Sequence, residues 1–214
     1  MSAIRAFDPD RIAALETASW QAYYRRDWLG MFRVLVALHR EQFGLSRLGA
    51  LLATLSASRA ARTFAPLEGS APNRARQQLT PYYRRARVAL GCAADAETLA
   101  AREVDYWVVH RQLAIQRQAN PAASDPDALD DIEPMVEAFA RLHAALFDST
   151  PAEMRPSAEY RALAAKAVDR ITGGYSGDIP GDWARTEAYL RRAYRAIATV
   201  VEAQPPSSQP EATP

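Results

Sequence analysis

One cysteine, Cys92, is present, so no intrachain disulfide can form. A chain that does without disulfides fits a reducing compartment. Lysine is almost absent as well: Lys166 stands alone against abundant arginine, and with the alanine enrichment this reads as the mark of a GC-rich bacterial genome. Neither sign of charge is in excess, with 26 basic against 25 acidic residues and a formal net charge of +1. That balance excludes a general nucleic-acid binder, which needs a basic surplus to neutralise phosphates. No run approaches the roughly 18 apolar residues of a membrane span. Met1 to Asp10 carries charge and lacks the apolar stretch of a signal peptide. A cytoplasmic protein with no nucleic-acid and no membrane partner is therefore expected. The glycine-rich phosphate loops and the Gly-x-Ser-x-Gly elbow are missing too, so no nucleotide cofactor is expected. Period-two alternation between hairpin turns is lacking, which counts against sheets.

What the sequence has is helical punctuation. About half of it, 49%, is hydrophobic, enough for a sizeable core. Asp8-Pro9 opens a first helix as cap and first position. Its pattern continues past a break near Asp27 to a stop at Gly44. Ser46 caps a helix to about Phe64, and residues 66–73 read as a loop. Thr80-Pro81 is expected to start a helix ended by Gly91. Asp95 caps a strong one that runs to about Ala119, and a loop follows, ending at Asp125-Pro126. Pro134 marks the first turn of the next helix. Thr150-Pro151-Ala152-Glu153 has the form of a capping box, with a helix expected from Pro156 to Gly173-Gly174. Asp182 is expected to cap the last. The expectation is all-α: a single compact bundle of about seven to nine helices. The domain covers 1–203, and a proline-, serine- and glutamate-rich tail, 204–214, is expected to be disordered.

Chemistry is carried by a few residues on apolar stripes. Glu103 and His110 lie about two turns apart on the helix after Asp95, on a face shared with Leu99, Tyr106, Trp107 and Leu113. His39 lies among Phe32, Leu35, Val36 and Phe43, and His143 among Val136, Phe139, Leu146 and Phe147. All three histidines of the chain thus face the expected core. Glu16 sits between Ile12 and Trp20, and Glu41 has Ala37, Leu38 and Leu45 as helical neighbours. A buried carboxylate is costly unless paired or bound to a cation. Carboxylates with imidazoles are ligands for non-haem iron, manganese or zinc, and helical bundles build such sites from inward-facing side chains.

The Glu103-x6-His110 spacing resembles that on one helix of the haem-oxygenase-like di-metal oxidases and oxygenases, which are helical bundles of similar length. The resemblance covers that helix alone. It implies a non-haem metal centre that activates dioxygen. The later helices offer His143 with Asp148 where that family has two histidines and an acid. The Glu-x-x-His pairs of ferritin-like bundles are absent.

The leading expectation is accordingly a metal-binding helical enzyme, an oxidoreductase using iron or manganese on a small organic substrate. Glu16, Glu103 and His110 would form the metal's immediate surroundings, with His39, Glu41 and His143 as further ligands. Tyr23, Tyr106 and Trp107 would line the substrate space. Beside it stands a purely structural account, in which buried glutamates pair with arginines such as Arg161, Arg111, Arg102 and Arg40. Two other functions use the same residues differently. One is a non-catalytic interaction protein, with the amphipathic segment Trp183 to Ala203 as a homodimer surface. The other is a metal-free module binding a small apolar ligand.

Overall fold

A computed structural model describes residues 7–120 and 131–204. These residues form eight helices and no strand: α1 (Pro9–Tyr24), α2 (Trp28–Phe43), α3 (Arg47–Phe64), α4 (Pro72–Leu90), α5 (Ala96–Ala119), α6 (Glu133–Leu146), α7 (Pro151–Thr172) and α8 (Ile179–Ala203). The fold is all-α and a compact bundle, as the helical punctuation implied. Each helix packs against its neighbours in sequence, and α8 returns to pack against α1. The helices therefore make a closed circuit. Across that circuit contact is slight, chiefly between α5 and α7 and between α2 and α4.

Local chemistry explains most boundaries. Asp8, Asp27, Ser46 and Asp95 each accept a backbone N–H of the first turn they cap. Arg26, at φ 59°, adopts the left-handed conformation, and here the first long helical pattern breaks into α1 and α2. Gly44 and Gly91 stop α2 and α4 at φ 63° and 70°, where a side chain would be strained. Thr150 and Glu153 form the reciprocal capping box: the Glu153 N–H donates to Thr150 Oγ1 at 3.2 Å, and the Thr150 N–H donates to Glu153 at 2.8 Å.

Three starts differ from expectation, two of them because a proline was read as a helix opening. Pro81 lies inside α4, which begins at Pro72, and Pro156 lies inside α7, which begins at Pro151. Each proline removes one backbone donor, and tertiary packing on both sides outweighs that loss. The last helix is capped by Asp178, with Pro180 in its first turn. Asp182 instead lies within that turn and accepts from Arg170, Arg185 and Ser176.

The core gathers around Phe43, Phe139, Leu79, Leu99, Met135, Met154 and Leu190, all fully or almost fully buried. The apolar face of α8, carrying Tyr189, Leu190, Tyr194, Ile197 and Val201, is buried in this core and not displayed as a dimer surface. A stripe of exposed leucines lies instead on α3, at Leu48, Leu51, Leu52 and Leu55. Among the described residues no helix is long and apolar enough to cross a membrane. The loop expected to end at Asp125-Pro126 and, beyond Gln204, the expected disordered tail lie outside the described residues.

Because the capping box satisfies two orphan donors at the start of α7, Thr150→Ala is expected to lower stability by about 1 kcal/mol. Urea denaturation monitored by circular dichroism checks this, and an unchanged midpoint would show the box to be idle.

Candidate functional site

The closed circuit surrounds a cavity of about 770 Å³, and all eight helices contribute to its lining. The walls are mainly apolar and aromatic: Trp20 and Tyr23 of α1, Leu35, Leu38 and Phe43 of α2, Tyr82 and Tyr83 of α4, and Tyr106 and Trp107 of α5. The rings brace one another. Tyr82 meets Tyr83 edge-on at 4.9 Å between centroids and His39 at 5.2 Å, and Tyr106 lies 4.4 Å from Phe139. Polar groups in the lining include Glu16, Glu103, Arg161, His39, His143 and Tyr194.

Glu16 and Arg161 form the most connected of these. Arg161 grips both carboxylate oxygens, Nη1 donating to Oε2 at 2.8 Å and Nη2 to Oε1 at 2.5 Å. Tyr194 donates its hydroxyl to Oε2 at 2.5 Å and accepts from Arg161 Nη1 at 3.2 Å. Burial works against the charge on Arg161, but the adjacent Glu16 carboxylate outweighs it and holds the guanidinium firmly protonated. The triad joins α1, α7 and α8 with charges matched and three hydrogen bonds to the carboxylate, the condition under which a buried ion pair is tolerated.

Glu103 is held differently. Tyr83 donates to Oε2 at 2.9 Å and the Trp107 indole N–H to Oε1 at 3.0 Å. Both partners are neutral, and among the described residues no basic side chain makes an ion pair with Glu103. Burial pushes its proton affinity above the ordinary carboxylate value. The hydrogen bonds from Tyr83 and Trp107, and Arg161 at longer range, work the other way.

The two cavity histidines are neutral. Burial lowers His39 to about 4; burial, with the charge of Arg161 beside it, lowers His143 to about 3. Thr54 sits 3.0 Å from His39 Nδ1 and already donates its own hydroxyl to the Ala50 carbonyl at 2.8 Å. His39 Nδ1 must therefore be the donor, which leaves Nε2 an acceptor on a ring that lines the cavity. His143 Nδ1 pairs with Ser157 at 3.1 Å.

This arrangement corrects the metal expectation. Among the described residues no group of three or more histidine, cysteine, aspartate or glutamate side chains could hold a metal ion. Iron or manganese, and the oxidoreductase chemistry built on them, thus lose their ligands. Glu16, Glu103, His39 and His143 do reach one cavity, but Glu16, Glu103 and the Nδ1 atoms of both histidines are engaged by protein partners. His110, two turns beyond Glu103, has passed the cavity: its Nε2 meets Asp169 at 2.8 Å. Asp169 pairs with Arg117 at 2.6 Å, and Asp131 joins Arg117 to Lys166 in a separate network beside α5 and α7. Glu41 is half-buried but does not line the cavity, and it pairs with Arg11 at 2.9 Å.

Tyr23, Tyr106 and Trp107 all line the cavity. Sequence reasoning named Arg161 as a glutamate partner but missed Tyr83 and Tyr82 as cavity residues. A polar group on an otherwise small or apolar helix face was the available signal for Arg161, set among Ala158, Ala162 and Ala165. The tyrosine pair reads from the sequence as core aromatics beside solvated arginines, and nothing local marks it as a cavity wall. Comparison with known proteins gives no match, whether to a family model, a curated protein or a solved structure.

The histidines give a pH signature. Below about pH 6.5 an unfolded chain takes up protons at these positions that the folded chain refuses, so stability falls as pH drops towards 4 for His39 and 3 for His143. The slope is at most about 1.4 kcal/mol per pH unit for each histidine. Glu103, whose affinity is raised, acts in the opposite sense above 4.5. The double variant His39→Gln, His143→Gln should therefore have a flatter profile of denaturation midpoint between pH 6.5 and 4 than the parent chain. Equal slopes would mean that the imidazoles titrate normally.

Proposed function

We propose that the protein is a metal-free binding module for a small, largely apolar organic molecule held inside the helical circuit. One observation carries this reading: a cavity of about 770 Å³ with aromatic walls and few polar groups. That volume and composition suit a compact organic ligand, for which apolar walls supply affinity and sparse polar atoms supply orientation. In this reading Tyr23, Tyr106 and Trp107 are ligand walls, joined by Tyr82 and Tyr83. A cytoplasmic location, supported by the single cysteine, belongs to the same reading.

Trp20 and Trp107 line the cavity and report on occupancy. The neutral fluorophore N-phenyl-naphthylamine should bind saturably, with a Kd on the order of micromolar, and quench tryptophan emission. Ala57 also lines the cavity, and Ala57→Phe should fill part of it and weaken binding about tenfold while leaving the helical circular dichroism intact. Non-saturable binding, or binding indifferent to Ala57→Phe, would contradict the proposal.

A further inference from the structure

The charged groups that line the cavity differ in how fully they are paired. Arg161 is already forked on Glu16, and Nη1 also donates to Tyr194, so its charge is matched within the protein and an incoming anion would compete with Glu16 for it. Arg62 touches the cavity too, but it is an exposed residue. Both cavity histidines are neutral. Glu103 remains: a carboxylate held by two neutral donors, with no cationic partner among the described residues. A carboxylate keeps acceptor capacity beyond two hydrogen bonds, because each oxygen carries two lone pairs. The rings of Tyr82, Tyr83, Tyr106 and Trp107 line the same cavity, Tyr83 and Trp107 turning their O–H and N–H to the carboxylate, and His39, whose Nε2 is an acceptor, lines it too.

We propose that the cavity is built for an organic cation, an ammonium group on an apolar or aromatic body, with the ammonium seated against Glu103 and the tyrosine and tryptophan rings. This deepens the ligand-binding reading and rests on it. An ammonium supplies what Glu103 lacks, a positive charge with N–H donors. Electron-rich rings attract the same charge. Burial disfavours the ionised form of Glu103 in the empty cavity, and a bound cation offsets that cost. A carboxylate ligand meets the reverse: repulsion from Glu103 and an arginine already in use.

Three probes sharing one apolar body separate the cases: naphthylethylamine, naphthylethanol and naphthylacetate, titrated by isothermal calorimetry at neutral pH. The amine is expected to bind at least about tenfold tighter than the alcohol, with the acetate weakest. Glu103→Gln keeps the shape of the site, and Tyr83 can turn its hydroxyl to suit the amide. In that variant the amine should lose its advantage while alcohol affinity stays within about twofold. Alcohol or acetate binding as tightly as the amine in the parent chain would overturn the cation inference and leave the cavity reading standing. So would an amine preference that survives Glu103→Gln. Failure of all three probes to bind would overturn both. Should Glu103→Gln not fold, the ranking of the probes on the parent chain still decides.

Discussion

Glu16 is tied to Arg161 and Tyr194, and through them the first helix is tied to the last two across sequence separations of 145 and 178 residues. Consecutive helices find one another through short connections, whereas closing the circuit requires α1 to meet α8 at the end of the chain. A buried carboxylate makes that meeting specific. Away from Arg161 it would be an unpaired charge in apolar surroundings, which is far costlier than a displaced leucine. The triad therefore acts less as a source of net stability than as a register pin: only the native arrangement of α1, α7 and α8 satisfies it.

The cavity follows from this closure. With each helix packed on its sequence neighbours and little contact across the circuit, the centre is lined by large side chains, some meeting edge-on, that leave a cavity between them. The carboxylates and imidazoles survive there because each has a neutral or charged partner in the protein. Thr54 holds His39, Ser157 holds His143, and Tyr83 with Trp107 holds Glu103. Glu103 differs in that both of its hydrogen-bond partners are neutral and Arg161 acts on it only at longer range, and the proposed preference for a cation rests on that asymmetry.

The fold was largely legible because helix caps and stops are local. Asp8, Ser46, Asp95 and Thr150 announce their helices through side-chain chemistry that needs no tertiary context. Pro81 and Pro156 misled for the converse reason: long-range packing carries α4 and α7 through positions where local propensity stops them. Burial of Glu16, His39 and His143 could be read from apolar stripes, but which partner each meets could not. Glu103 and His110 share a face, and helical rise puts them about 10 Å apart along the axis. One reaches the cavity while the other reaches Asp169. Periodicity gives direction around a helix and says nothing of what stands opposite at each level, so a common face suggested convergence that the packing does not make.

A double-mutant cycle on Glu16 and Arg161, read by chemical denaturation, tests most directly whether this pair organises the bundle. Glu16→Leu and Arg161→Met each strand a buried partner, and each should cost about 3 kcal/mol or more. The double variant removes both charges and should lose much less than the sum, giving a coupling of about 2 kcal/mol or more. Additive losses, within about 0.5 kcal/mol, would mean that the two residues act independently and that the circuit does not depend on their pairing.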